Sequence, residues 1–263
     1  MNNLKKIGLT ALAGSLVATS VFAGEMTVTG SASMKVQHVN GGAANAGKAF
    51  SMGNQLGFAG SGELDNGLNV SLSFVLDQND DSTTAGAAYT GGPFDSHSVT
   101  VSSDALGALA FHGEGGSTAQ STVDTTAAGD LWDSGFGITA AQDPKASKGS
   151  DNMIFYTAPS VVDGVALTAS YTPKGVSAGS STAFGIGYTG VEGLSVNYAQ
   201  GSDDSVTGST ADVTTLKASY AYGPVTVGYS TTEFDGENVG VDVDQDVESY
   251  NISYTVSENI SIS

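Results

Sequence analysis

Cysteine and arginine are both absent from the 263 residues, and lysine supplies all 8 basic side chains against 27 acidic ones. Without cysteine there are no disulfides, no thiolate zinc sites and no cysteine nucleophile. The net charge is -19 and no lysine cluster occurs beyond the first ten residues, so nothing can neutralise a run of phosphates. Nucleic acid is excluded as a partner, and anionic headgroups are poor ones. Proline, at 5 residues, is too scarce for collagen or a proline-rich linker. Glycine is plentiful instead: its 36 residues are roughly twice the usual share.

Residues 1–23 have the build of a Sec-type signal peptide. Lys5 and Lys6 precede an apolar stretch from Ile7 to Val21 broken only by Gly, Ser and Thr, and Val21-Phe22-Ala23 ends on a small residue. The stretch is short of the roughly 20 apolar residues that span a bilayer, so cleavage after Ala23 is expected rather than anchoring. Cleavage removes two lysines and no acid, which leaves residues 24–263 as a still more acidic mature domain.

Beyond residue 24 the apolar residues recur with period two, and no window sustains a helical stripe. Val165, Leu167, Ala169 and Tyr171 alternate with Ala166, Thr168, Ser170 and Thr172; Tyr250, Ile252, Tyr254 and Val256 alternate with Asn251, Ser253 and Thr255. The same rule holds over 26–36, 68–76, 184–189, 194–199, 216–222 and 225–230. Such alternation fits a soluble sandwich with its apolar face inside, or a membrane barrel with that face outside.

Three features favour the barrel. The polar faces are Gly, Ser, Thr and Asn rather than a solvated Lys/Glu mix, and the apolar faces often end in tyrosine, as an interfacial aromatic girdle would. The connections also alternate in length. Short ones fall at 64–67, 103–106, 159–164, 191–193, 223–224 and 257–259, and long ones at about 40–49, 78–95, 114–149, 173–181, 201–210 and 235–246. An outer-membrane barrel has short periplasmic turns and long outward loops, which predicts this order. Twelve strands result, with Ile260-Ser261-Ile262-Ser263 beginning a thirteenth. Either the barrel closes at twelve or the chain stops partway through a larger one, and the resumed alternation favours the second.

Two hairpins carry a family resemblance. Residues 54–68, Asn-Gln-Leu-Gly-Phe-Ala-Gly-Ser-Gly-Glu-Leu-Asp-Asn-Gly-Leu, and residues 152–164, beginning Asn-Met-Ile-Phe-Tyr-Thr-Ala-Pro, resemble two hairpins of Gram-negative general porins. The resemblance implies an all-β chain: a transmembrane antiparallel β-barrel of the 16-stranded porin type, of which about 12 to 13 strands are present here. It further implies a homotrimer in the bacterial outer membrane, in contact with lipid and lipopolysaccharide, whose third long loop folds into the lumen. It implies a passive channel and not an enzyme, with no cofactor.

The chain departs from that family in its charges. Gln55, Ala59 and Phe155 stand where basic residues are usual, and together with Lys35 and Lys217 they are the expected pore wall. The third loop keeps Glu114, Asp124, Asp130, Asp133 and Asp143 as the expected constriction, with Lys145 and Lys148 as its only cations. Carboxylates in a water-filled pore with low-dielectric walls concentrate cations, so small hydrophilic solutes and cations are the expected cargo.

Other chemistry is thin. Asp242, Asp244, Asp246 and Glu248 lack the Gly and Glu positions of a calcium loop, which leaves only weak divalent binding as an expectation. His38, His97 and His112 lie near serines, but no Gly-x-Ser-x-Gly elbow exists. The competing reading is a secreted, soluble Gly/Asp-rich β-protein such as an adhesin or surface component, which would bury its apolar faces.

Overall fold

The computed structural model describes residues 26–39, 47–76, 94–123, 127, 146–147, 151–173, 179–204, 209–238, 240–258 and 260–262. The strands among them are β1 (Met26–Val39), β2 (Gly47–Glu63), β3 (Asn69–Leu76), β4 (Ser96–Ser103), β5 (Gly107–Glu114), β6 (Met153–Thr157) and β7 (Val165–Thr172). They continue with β8 (Ser181–Tyr188), β9 (Leu194–Asp203), β10 (Ser209–Tyr222), β11 (Val225–Asn238), β12 (Val241–Asp242), β13 (Gln245–Ser257) and β14 (Ile260–Ile262). All lie in one sheet, and each pairs antiparallel with the next, except that the two-residue β12 sits off the path on β11. This is the meander that short hairpins enforce. Twelve long strands and the start of another match the period-two pattern, while β12 was not expected from it.

Register puts the two faces of the sheet in continuous rows. In β8, Ser181 and Ala183 are buried while Phe184 and Ile186, one step along, are exposed. The contrast is sharpest between β13, whose Tyr250 and Ile252 are 72% and 67% exposed, and β10 and β11, whose Thr215 and Ser230 are fully buried. The apolar face is thus outermost and the small polar face innermost, the inverse of a soluble sandwich.

Magnitudes show why that face must be covered. Leaving a large apolar side chain in water forfeits about 1.5–3 kcal/mol, and the sheet exposes more than a dozen. The sum is tens of kcal/mol, above the roughly 5–15 kcal/mol by which a domain is usually stable. Hydrocarbon removes that penalty, and the antiparallel ladder pairs backbone groups from strand to strand as lipid requires.

Tyrosines border the apolar rows. Tyr156, Tyr188 and Tyr222 sit at the end with the short turns, and the Tyr156 hydroxyl donates to Leu106 O at 2.9 Å. Toward the other end, Tyr250 and Tyr229 both donate to Glu248, at 2.9 and 3.4 Å. Each ring stays on the apolar face while its hydroxyl reaches a polar partner.

The short turns pack tightly on one another. Gly107 has φ +77° and Gly193 φ +77°, and a Cβ at either would run into the backbone of the next turn, at Thr157 O and Ala221 O respectively. At the opposite end the connections are shorter than the sequence suggests, because β2 starts at Gly47, β9 and β10 leave only 204–208 between them, and β11 runs to Asn238. β10 and β11 are each 14 residues long, more than the roughly 9–11 that cross a bilayer. Above the apolar belt the outward face of these strands is polar, with Asp212, Glu233, Asp235 and Glu237, while Val213 and Phe234 pair on the inner face, so the ladder continues after the outward apolar row has ended.

Candidate functional site

The inner face of β7–β13 is occupied by part of the long connection between β5 and β6. Its described residues, 115–123, 127 and 146–147, are hydrogen-bonded to strand after strand. Ala119 N donates to Ser170 Oγ of β7 at 2.9 Å, Gln120 Nε2 to Thr215 Oγ1 of β10 at 2.9 Å, and Ala127 N to Ser249 Oγ of β13 at 3.1 Å. Gln120 Oε1 in turn accepts from Ser147 N at 2.7 Å, which ties the two limbs of the connection together.

Small inner-face residues make room for this segment. A Cβ on Gly185 would come within 3.2 Å of Ala119 O, and one on Gly228 within 2.9 Å of Ala127 O. A Cβ on Gly201 would lie 2.8 Å from Ser147 Oγ. Ala199 and Ala183, on the same face, are buried as well. The excess glycine therefore has a local purpose here: backbone can lie flat on the wall only where the wall has no side chains.

Among the described residues nothing is seated on the inner face of β1–β3. Thr27, Thr29, Ser31 and Ser33 are exposed, as are Ser71 and Ser73. The expected wall residues Gln55 and Ala59 belong to this row, opposite Ser31 and Thr27, and both are exposed. Position 35 shares that parity through its pairing with Ser51. Phe155 pairs with Ala110 and Ser170, which puts it on the inner face of β6 beside the seated segment. Lys217 lies on the inner face of β10, between Asn197 and Ser230, and is the only lysine among the inner-face residues with described side chains.

Of the expected constriction residues, Asp124, Asp130, Asp133 and Asp143 lie outside the described residues, as do Trp132, Lys145 and Lys148. Glu114 is the last residue of β5, at the root of the loop rather than within it. A register shift at His97/Ser98 pairs it with His97, and its carboxylate sits 4.0 Å from His97 Nδ1. That imidazole stacks on Phe74 of the outward row, with centroids 6.1 Å apart. The bulge is what draws Glu114 toward this aromatic group.

Other acids gather beyond the apolar belt. Asp212, Glu233, Asp235, Glu237, Asp246 and Glu248 are exposed on the outward face of β10, β11 and β13, beyond the apolar belt. Like charges stand directly across the ladder at Asp212–Asp235, Glu233–Asp246 and Glu237–Asp242, which is tolerable only in water. The weak divalent expectation concerns Asp242, Asp244, Asp246 and Glu248. Among the described residues no three such groups gather to hold a metal ion. Their partners explain this: Glu248 takes two tyrosine hydroxyls, and Asp244 accepts from Gly236 N at 3.2 Å.

A meandering antiparallel sheet with a lipid-compatible outer face, a polar inner face and a loop segment seated on the latter defines a transmembrane β-barrel protein of the channel-forming class. A family model of Gram-negative porins matches residues 8–263, and the chain belongs to that family. Membership makes it an outer-membrane channel rather than an enzyme. The fold is also similar to that of the anion-selective porin from Comamonas acidovorans, with a TM-score of 0.60 and 19% identity over 88% of this chain and 75% of that one. OmpT, an outer membrane protein of Vibrio cholerae, is similar with a TM-score of 0.58 and 13% identity over 91% of this chain and 74% of the other. No curated protein matches the chain.

Proposed function

We propose that the chain is exported by cleavage after Ala23, that residues 24–263 form the porin domain, and that it assembles as a homotrimer with its outer face against lipid and lipopolysaccharide. In that state it passes small hydrophilic solutes and ions by passive diffusion, with a preference for cations. The observation that carries this reading is the pairing of exposed apolar rows with a hydroxyl-lined inner wall, covered by the loop segment over β7–β13. A soluble adhesin would bury those rows.

The cation preference follows from charge. There is no arginine in the chain and 27 acids stand against 8 lysines. Acids on the projecting ends of β10, β11 and β13 place negative potential along one side of the mouth, which raises the local concentration of cations entering it. The Comamonas protein is anion-selective by name, but a likeness at 19% identity shows the fold alone and leaves selectivity to local charge. Planar-bilayer recordings across a potassium chloride gradient are expected to give a reversal potential of the cation-selective sign. An anion-selective sign would refute the preference, and the absence of any conductance from folded protein would refute the channel.

A further inference from the structure

We infer that Gln120 is the positioning residue that fixes the lumenal segment against the wall, and with it the width and steadiness of the channel; the last clause rests on the channel reading above. One connected run of polar groups passes through its carboxamide. Thr118 Oγ1 and Ser147 Oγ lie 2.6 Å apart, Ser147 N donates to Gln120 Oε1, Gln120 Nε2 donates to Thr215 Oγ1, and Thr215 Oγ1 and Thr232 Oγ1 lie 3.1 Å apart. All five residues are buried, Gln120 and Thr215 completely.

The carboxamide is suited to this place because it offers a donor and an acceptor on one rigid plane. Its oxygen holds one limb of the loop, its nitrogen holds the wall, and its own backbone belongs to the other limb. Removing it would leave Ser147 N–H without this acceptor and the Thr215 hydroxyl without this donor. Such losses at buried sites are expensive relative to an exposed hydrogen bond. Gly201 lies directly beneath, where a Cβ would stand 3.2 Å from Gln120 Cβ and 3.0 Å from Ser147 Cβ. Both limbs are therefore pressed onto β9 at one point, and the run of hydrogen bonds crosses to β10 and β11 from there.

The chain has no cysteine, so Ser147→Cys serves as a single reporter. Ser147 is buried, and its replacement can be labelled only when the segment lifts. With Gln120→Leu, which is one heavy atom shorter and loses both hydrogen bonds, the labelling rate of detergent-folded protein is expected to rise roughly tenfold. Thr215→Val should do the same, Thr215→Ser should not, and the double variant Gln120→Leu/Thr215→Val should exceed neither single change by much, since all act on one run. In bilayers the same variants should show more frequent conductance substates.

Unchanged labelling in both Gln120→Leu and Thr215→Val would overturn the proposal, as would Thr215→Ser behaving like Thr215→Val. If Gln120→Leu gives no folded, heat-modifiable band, the Thr215 pair decides by itself. Labelling needs no current, so a folded protein that fails to conduct would sink the channel reading and leave the positioning role to be judged by labelling.

Discussion

Lysine in place of Ile252 is expected to destabilise the inserted protein by about 2–4 kcal/mol, while lysine at Ser253 changes its stability little. Ile252 is the middle of the outward row of β13, between Tyr250 and Tyr254, and its ladder partner Val227 faces the same way. A charge there must be dragged toward the hydrocarbon or must thin the bilayer around it. Ser253 pairs with Thr226 on the opposite face, where water is available. Urea titration of refolding into lipid vesicles measures the difference. Equal penalties at the two positions would contradict the assignment of faces.

Arginine in place of Phe155 is expected to move the cation-to-anion permeability ratio toward anions by about two- to fivefold, the size of a single charge acting across a partly aqueous lumen. Phe155 is on the inner face beside the seated segment, and a basic residue is usual there in the general porins that the sequence resembles. Phe155→Gln, polar and neutral, should leave the ratio near that of the unaltered protein. Reversal potentials of the two variants read this directly. A shift of the same size with glutamine would mean that geometry, not charge, controls selectivity at this point.

The strands were legible because lipid demands a strict rule: every second residue must be apolar wherever the sheet touches hydrocarbon. Where the rule lapses, reading failed in proportion. β10 and β11 extend past the belt through Asp212, Asp235 and Glu237, whose acidic outward faces look like loop. The like-charge pairs across these strands gave no sign in a linear pattern, since register alone brings Glu233 opposite Asp246.

The site was less legible than the fold. Glycines at 185 and 228 read only as small polar-face residues and Gly201 as the start of a long connection, and nothing local marks them as a seat for a segment far away in sequence. Gln120 stands in the stretch Ser117-Thr118-Ala119-Gln120-Ser121-Thr122, which has no periodicity and no charge, so its bridging of two limbs is a purely tertiary fact. One signal was available in principle: a glutamine flanked by small hydroxyl residues in the longest connection has few ways to be buried except by bonding with both ends. Glu114 was misplaced for a different reason, the bulge at His97.

The two faces of the sheet can be tested most directly with single cysteines. Substituted one at a time at Tyr250, Asn251, Ile252, Ser253 and Tyr254 of the protein reconstituted in liposomes, they meet no native thiol. A charged, membrane-impermeant thiol reagent should label positions 251 and 253 through the lumen and leave 250, 252 and 254 unreacted. Labelling of all five at similar rates, or of the even positions in preference, would contradict an apolar face turned to lipid and a polar face turned to water.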